Sequence, residues 1–579
     1  MSSVMPRQDL SAPLSELHSN EQLKHDSRFL RGTLEESLAD PISGSVADTD
    51  ALLTKFFGIY QQDDRDERDE RRRAKLEPLY QFMARVRLPG GVCTPAQWLA
   101  LDALARKYAN GSLRMTTRQT FQFHGIRKRN LPSLIRGLRD AGLDTVAACG
   151  DDNRNVIATA NPLFSGAHEE VSTLARAISA RLMPRTGAYR ELFLGETPVS
   201  QPTAEEEPLY GRTYLPRKFK IAIAIPPQND VDVFAHDLGF IAILEGERIV
   251  GYNVLVGGGM GMTHRQPATF PRLGDVIGFC GPQDVGEVAE HAMCIQRDFG
   301  NRKDRSHARF KYTIEDRGVQ WFRDELARRM GCALGPARPF RFESSGDRLG
   351  WHQGSDGRWH YTIYVENGRV DDSDGRRLLS ALRSIASSHQ GVFALTTNQN
   401  VTIAGVLDHE RRGLERLLDD YGVGSSQRQS RARTSSMACV ALPTCGLAMA
   451  ESERYLPAFM ERLEQLLQDA GLSDVPINVR MSGCPNGCSR PYLAEIALVG
   501  KAPGKYNLYL GASHNGDRLN ALYLENADES GILAALGEPL RRYAKERQAH
   551  ESFGDFVVRA GVVRAMLHGR DFQRAERSG

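Results

Sequence analysis

Most of the features that would quickly classify this 579-residue chain are absent. No apolar run approaches a membrane span; the longer ones, such as Ile221 to Ile225, are strand-length. The opening M-S-S-V-M-P-R-Q-D-L-S-A-P-L has no apolar h-region and no twin arginine, so no secretory leader is expected. Charge of one sign is missing too: 74 basic and 72 acidic residues leave +2 at pH 7. Neither nucleic acid nor a membrane is therefore expected as a partner, and an anionic substrate has to be drawn by local clustering. There is no dinucleotide or flavin fingerprint. Gly257-Gly258-Gly259-Met260-Gly261 lacks the Lys-Ser/Thr of a P-loop and the helix-opening pattern of a nucleotide site, which leaves a close backbone approach to a large planar group or a plain turn. Cysteine is sparse and odd in number, nine, and Cys93, Cys149, Cys280, Cys294 and Cys332 show no framework spacing. They read as buried small hydrophobes or surface thiols in a reducing compartment, the cytoplasm by default.

The other four cysteines are grouped. Cys439 and Cys445 have five residues between them, Cys484 and Cys488 have three, and 38 lie between the pairs. Thiolates are soft ligands, and four gathered at one point select an iron–sulfur cluster, zinc or copper(I). The five-residue gap is wide for a zinc knuckle, so the spacing favours a [4Fe–4S] cluster, with zinc and unliganded thiols as the alternatives. Leu463, Leu466 and Leu467 at helical spacing, with Gly471 as a stop, predict a helix between the pairs that the first pair opens. The second pair sits in the turn Gly483-Cys484-Pro485-Asn486-Gly487-Cys488, whose backbone N–H groups are free to point at cluster sulfides.

The length predicts about three or four domains. Residues 1 to about 50 read as a polar, flexible arm that orders on a partner, and Gln61 to Arg73 as a solvated helix laced with ion pairs. A strand at Phe82–Leu88, a helix from Pro95 to Tyr108, a second strand at Leu113–Gly125 and a helix from Leu131 to Ala141 form half of a ferredoxin-like unit. That unit recurs as Trp359–Val365, Arg377–His389, Phe393–Gly405 and His409–Tyr421, keeping Thr-Thr-x-Gln and the closing glycine. Ile241–Leu244 with Tyr252–Gly258 is echoed by Ile496–Val499 with Tyr506–Gly511. Two echoes in one order imply a duplicated, pseudo-twofold α+β chain with its site at the junction. The divisions expected are an arm and charged helix over 1–80, paired ferredoxin-like halves at 81–148 and 349–426, and α/β repeat domains at 149–348 and 427–579.

The copies differ in chemistry. The first is cationic, with Arg85, Arg87, Arg114 and Arg118 on strands, followed by Asp152-Asn153-Arg154-Asn155 and Arg217-Lys218-Phe219-Lys220. The second has Asn398 in place of Arg118 and carries the cysteines. Alternation puts Lys218 and Lys220 on one strand face. An exposed edge is the ordinary reading of two such lysines, but the run Ile221–Ile225 argues for a buried strand, where they need a counter-anion.

Assembled, these residues make the chain similar to the sirohaem- and [4Fe–4S]-containing sulfite and nitrite reductases, over nearly its whole length. The likeness runs from Tyr60-Gln61-Gln62-Asp63-Asp64-Arg65 through Thr116–Gly125, Leu215–Lys220 and both cysteine motifs to Gly554-Asp555-Phe556-Val557-Val558-Arg559-Ala560-Gly561. The N-terminal and Thr116–Gly125 stretches resemble the bacterial sulfite-reducing branch. The resemblance implies a sirohaem beside the cluster, ligation of the cluster by Cys439, Cys445, Cys484 and Cys488, and Cys488 as axial ligand of the haem iron. It also implies sulfite binding by Arg85, Arg154, Lys218 and Lys220, and sirohaem contacts from Arg114, Arg118, Gln122, His124, Arg217 and Asn486. Ser482, where threonine is common, departs by one methyl group. The activity implied is six-electron reduction of sulfite to sulfide in sulfate assimilation and cysteine biosynthesis, fed by a separate NADPH-oxidising flavoprotein. Ferredoxin-dependent sulfite reduction and sirohaem nitrite reduction are the related alternatives. From a different class, a zinc-stapled binding module is the competing reading, and a colourless protein containing zinc would establish it.

Overall fold

The computed structural model describes residues 12–196, 207–373, 375–424 and 429–572. Residues 1–11, most of the stretch read above for a leader, lie outside the described residues. Two pairs of five-stranded sheets repeat the same plan. In the first large sheet Ile157–Ala158, Ile221–Ala224 and Leu238–Glu245 run parallel, and Arg248–Val256 and Asp275–Cys280 follow antiparallel. In the second, Ser436–Ala438, Val479–Ser482 and Ile496–Ala502 run parallel, then Lys505–Leu510 and Ala521–Ala527 antiparallel. This is the duplication expected from the sequence echoes.

The two smaller sheets exchange edges. Ile59–Asp63, Tyr80–Arg85, Phe121–Ile126 and Leu113–Met115 are completed by Arg369–Val370 from the second copy. Gly350–Gln353, Trp359–Ile363, Val401–Val406 and Val392–Leu395 are completed by Val92–Cys93 from the first. Each sheet carries two helices, Pro95–Tyr108 with Leu131–Asp140 and Leu378–Ala386 with Arg411–Asp420. Pro95–Tyr108 has its start fixed by a Thr94/Gln97 capping box and by Pro95 in the first turn.

Three expectations about strands and helices change. The stretches Leu113–Gly125 and Phe393–Gly405 are hairpins rather than single strands, because Gln119 (φ 51°) and Gln399 (φ 70°) take a left-handed conformation within the Thr-Thr-x-Gln motif. The helix between the cysteine pairs is Leu456–Asp469, so the first pair precedes it without opening it. The charged stretch divides into the strand Ile59–Asp63 and a short exposed helix, Arg68–Arg73.

From residue 12 onward the arm is folded against its own chain. The helix Ser19–Asp26 buries Glu21 and Lys24; Glu21 pairs with Arg302, while the Lys24 ammonium donates to the Leu215 carbonyl (2.8 Å) and sits 3.7 Å from Asp151. Its composition looked solvated, yet its charges are consumed by buried partners behind Leu215-Pro216-Arg217.

Candidate functional site

The parallel register of Ser436–Ala438 with Val479–Ser482 brings the distant cysteine pairs together. Ala438 lies opposite Met481, the Cys439 N–H donates to the Met481 carbonyl (3.2 Å), and both pairs emerge at the carboxyl ends of adjacent strands. The Gly483 N–H donates to Cys439 Sγ (3.3 Å), and the Asn486 side-chain amide lies 3.5 Å from Cys484 Sγ. Arg65 closes the other flank by donating to the carbonyls of Cys445 (3.1 Å) and Ala448 (2.7 Å). Every pair among the four thiols is within electrostatic reach. Burial, and after it the neighbouring thiols, pushes Cys439 and Cys484 up to about 12, a penalty that a cationic core bound to thiolates removes. Among the described residues, no three Cys, His, Asp or Glu side chains are grouped closely enough for a single ion. Four thiols within one another's field match the four-thiolate donor set of a [4Fe–4S] core.

Cys484 is buried, Cys439 and Cys445 are half-buried and Cys488 is exposed. Cys488 faces both ways: it is in the field of Cys439 and in the field of Lys220. Beyond it lies the cationic set. Lys218 and Lys220 flank buried Phe219 and lead into Ile221–Ala224, and among the described residues neither ammonium makes an ion pair or hydrogen bond. Burial, then Arg217, Lys220, Arg309 and Arg154, drives Lys218 well below the usual lysine range; burial, then Arg118 and Arg309, does the same to Lys220. Burial and the nearby Arg154 push Arg118 down to about 9. A guanidinium does not give up its proton in proteins, so this excess of positive charge is a pull for an anion.

The remaining members are held rigidly. Arg85 donates to Cys149 Sγ (2.9 Å), and Arg154 donates to the Gly150 carbonyl (3.0 and 2.8 Å). Arg217 lies 3.6 Å from Asp151, which Arg305 binds through both carboxylate oxygens. Gln122 stands opposite Arg85 on one strand and Arg114 on another, so Arg85, Arg114, Gln122 and His124 share a sheet face. His124 is 3 % exposed with both ring nitrogens unpartnered, and Gln122 Oε1 and Arg118 Nε are likewise buried without a bond. Such orphaned polar atoms beside an excess of cations fit a large, carboxylate-bearing tetrapyrrole. Arg114 is the most committed of the set: Nε binds Glu453 (2.7 Å) and one terminal nitrogen binds the Ala438 carbonyl (2.9 Å), so it braces the strand end that carries Cys439.

The glycine run meets the cysteine turn. The Met262 N–H donates to the Pro485 carbonyl (2.9 Å), and a Cβ on Gly261 would sit 3.2 Å from the Asn486 carbonyl. Lys311 holds the run by donating to the carbonyls of Gly259 (3.1 Å), Gly261 (2.7 Å) and Phe270. Sequence reasoning missed Lys311 and Arg309, although Arg309-Phe310-Lys311 repeats the cation–aromatic–cation pattern of Lys218-Phe219-Lys220. It also missed the centre of the pseudo-twofold. Asp232 and Arg490, each left-handed and each six residues before the third parallel strand of its sheet, bind one another, and Asp232 also binds Arg480 at 2.6 Å. Arg490 donates to Thr117 O (3.0 Å) and Thr397 O (3.1 Å), one in each Thr-Thr-x-Gln turn, and the Thr117 hydroxyl donates to Cys488 O (3.1 Å).

Comparison with known proteins agrees with this geometry. The ferredoxin-like half domain of nitrite/sulfite reductases matches at 74–141 and 352–421, the two small-sheet copies. The nitrite and sulphite reductase 4Fe-4S domain matches at 174–334, within the first large-sheet copy; the cysteine quartet lies in the second, which repeats its strand order. The chain is 58% identical over 562 residues to the sulfite reductase (NADPH) hemoprotein beta-component of Chromohalobacter salexigens, covering 96% of this chain and 97% of that one. It is 57% identical over 551 residues to the protein of the same name from Myxococcus xanthus, covering 95% and 97%. Among solved structures, Mycobacterium tuberculosis NirA superposes with a TM-score of 0.76 at 25% identity, covering 95% of this chain and 97% of that one. With its doubled architecture, its thiol quartet at the paired strand ends and relatives alike from end to end, the chain belongs to the nitrite and sulfite reductase family.

Proposed function

We propose that the chain reduces sulfite to sulfide with six electrons at a sirohaem coupled to a [4Fe–4S] cluster. A separate NADPH-oxidising flavoprotein supplies the electrons, in the cytoplasm, for sulfate assimilation and cysteine biosynthesis. The observation that carries this reading is a cluster of cations whose two lysines, Lys218 and Lys220, make no ion pair among the described residues, and which opens onto Cys488, the one exposed thiol of the quartet. The full-length relatives named for the NADPH enzyme support the substrate and the existence of an alpha component.

Cys439, Cys445, Cys484 and Cys488 ligate the cluster, and Cys488 also serves the haem iron. Arg114, Arg118, Gln122, His124, Arg217 and Asn486 hold and orient the tetrapyrrole. When bound, the two centres supply electrons singly, which no side chain can do. Arg85 and Arg154 clamp the sulfite oxygens, since guanidinium groups donate in a fixed fork and keep their charge. Lys218 and Lys220 add charge and deliver protons from Nζ as each oxygen leaves as water; burial, followed by the surrounding cations, has already lowered the cost of releasing them. Nitrite is the second substrate to test, because the family model embraces both anions.

The test is an absorption spectrum with iron and acid-labile sulfide assays, followed by oxidation of a reduced dye by sulfite and by nitrite at matched electron supply. A coloured protein with faster sulfite-dependent turnover is expected. Zinc without labile sulfide, or a nitrite rate exceeding the sulfite rate, would overturn the assignment. Lys220→Met is expected to lower kcat; full turnover with weaker sulfite binding would reduce Lys220 to a clamp.

A further inference from the structure

The strand registers carry the pseudo-twofold residue by residue. Ile221 pairs with Leu238 as Val479 pairs with Ile496, and Ala222 pairs with Ile157 as Arg480 pairs with Met437. The step from Ile157 to Met437 equals the step from Thr116 to Thr396, so the frame closes on itself. On this frame the ligand set Cys439, Cys445, Cys484 and Cys488 falls on Thr159, Ser165, Pro226 and Asp230, and all four line one cavity of about 260 Å³. Arg118, Arg154, Lys218, Lys220 and Asn486 fall on Asn398, Thr434, Pro476, Asn478 and Gln228, and all five line a second cavity of about 640 Å³. Gln228, Asp347, Arg348 and His352 belong to both walls, so the two chambers adjoin. The fold therefore contains its site twice, and the second copy is hollow.

That copy has no thiol for a cluster and none of the first copy's cage cations, yet it has cations of its own. Arg348, Arg431 and Arg480 line the larger chamber. Arg480 is 2 % exposed; Nη1 binds Asp232, while Nε is buried without a partner. Among the described residues, Arg348 and Arg431 make no ion pair, and Arg348 only stacks over Phe164. Two acids share that wall, Asp474 and Asp347, the latter accepting hydrogen bonds from Thr396, Asn398 and Asn400, so three guanidinium groups face two carboxylates. A polar chamber of this size suits a metabolite better than a bare ion.

We propose that the thiol-free copy of the site binds an organic oxyanion, a metabolite bearing carboxylate or phosphate groups, through Arg348, Arg431 and Arg480. Arg348 and Arg431 are exposed, so their replacement leaves the fold intact. The test is calorimetric titration of the holoprotein, saturated with sulfite, with citrate in one arm and inorganic pyrophosphate in the other. At least one probe is expected to bind without altering the visible spectrum, and the double variant R348A/R431A is expected to weaken it about tenfold or more. The arm that binds tells carboxylate from phosphate. The proposal is overturned if neither probe binds, if binding competes with sulfite, or if the double variant binds as tightly as the parent.

Discussion

Replacing Asp232 by asparagine isolates the centre of the duplication. Its carboxylate is 1 % exposed and binds Arg480 (2 %) and Arg490 (6 %). Burial alone would raise its pKa, but the two guanidinium groups outweigh burial and hold it below the usual carboxylate range. Asparagine keeps the shape and removes the charge, leaving two buried cations uncompensated. Breaking a buried pair in this way costs about 3–5 kcal/mol, or roughly two to four decades in the folded-to-unfolded ratio at about 1.4 kcal/mol per decade. Arg490 also anchors Thr117 and Thr397 and, through Thr117, the Cys488 carbonyl, so damage at the axis reaches the cofactor side. The assay is urea unfolding of parent and D232N, followed by far-UV circular dichroism, with visible absorbance on the same samples. Adding Arg480→Met to D232N removes one orphaned charge and is expected to recover part of the loss. A D232N midpoint equivalent to less than about 1 kcal/mol of destabilisation would refute the account of the axis as a buried charge lock.

Two further outcomes follow from other elements. Gly258→Ala drives a Cβ into the carbonyls of Phe234 and His236 (2.6 Å to the latter) and displaces the run that meets Pro485; reduced iron and acid-labile sulfide per chain are expected, and normal content at an unchanged melting temperature contradicts this. For Asp151, burial acts upward, but Arg305, Lys24 and Arg217 prevail and hold the folded-state carboxyl far below its unfolded value of about 3.9. Its stabilisation is therefore complete above that value and is lost as pH falls toward the folded pKa. The gap between parent and D151N unfolding midpoints is expected to be constant above about pH 5 and to shrink below about pH 4; a gap that widens on acidification contradicts the assignment.

The sequence was most informative where a local rule decides the outcome. The helix Pro95–Tyr108 begins at a capping box and a proline, and both determinants are adjacent in the chain. The repeat was readable because Thr-Thr-x-Gln and its glycine serve the same turn twice. The hairpins were not, because that turn places a glutamine at positive φ, with no glycine or proline at the bend to mark it. The quartet's convergence could be argued from ligand chemistry, but the parallel register that achieves it joins strands far apart in the chain. Arg490 and Asp232 were invisible for a similar reason: each looks like an ordinary surface charge until the copies are superposed. The arm misled because Glu21 and Lys24 count as polar in composition, while their partners Arg302 and Asp151 lie in distant segments.

The exchanged edge strands bear on how the chain is made. The outer edge at Leu113–Met115 has no neighbour until Arg369–Val370 has been synthesised, so the first small sheet, whose own strands are complete at Ile126, waits with one side bare while about 240 further residues are added. Severing the chain between the copies would leave each fragment with an open sheet margin. Separately expressed halves should precipitate alone and become soluble only when produced together.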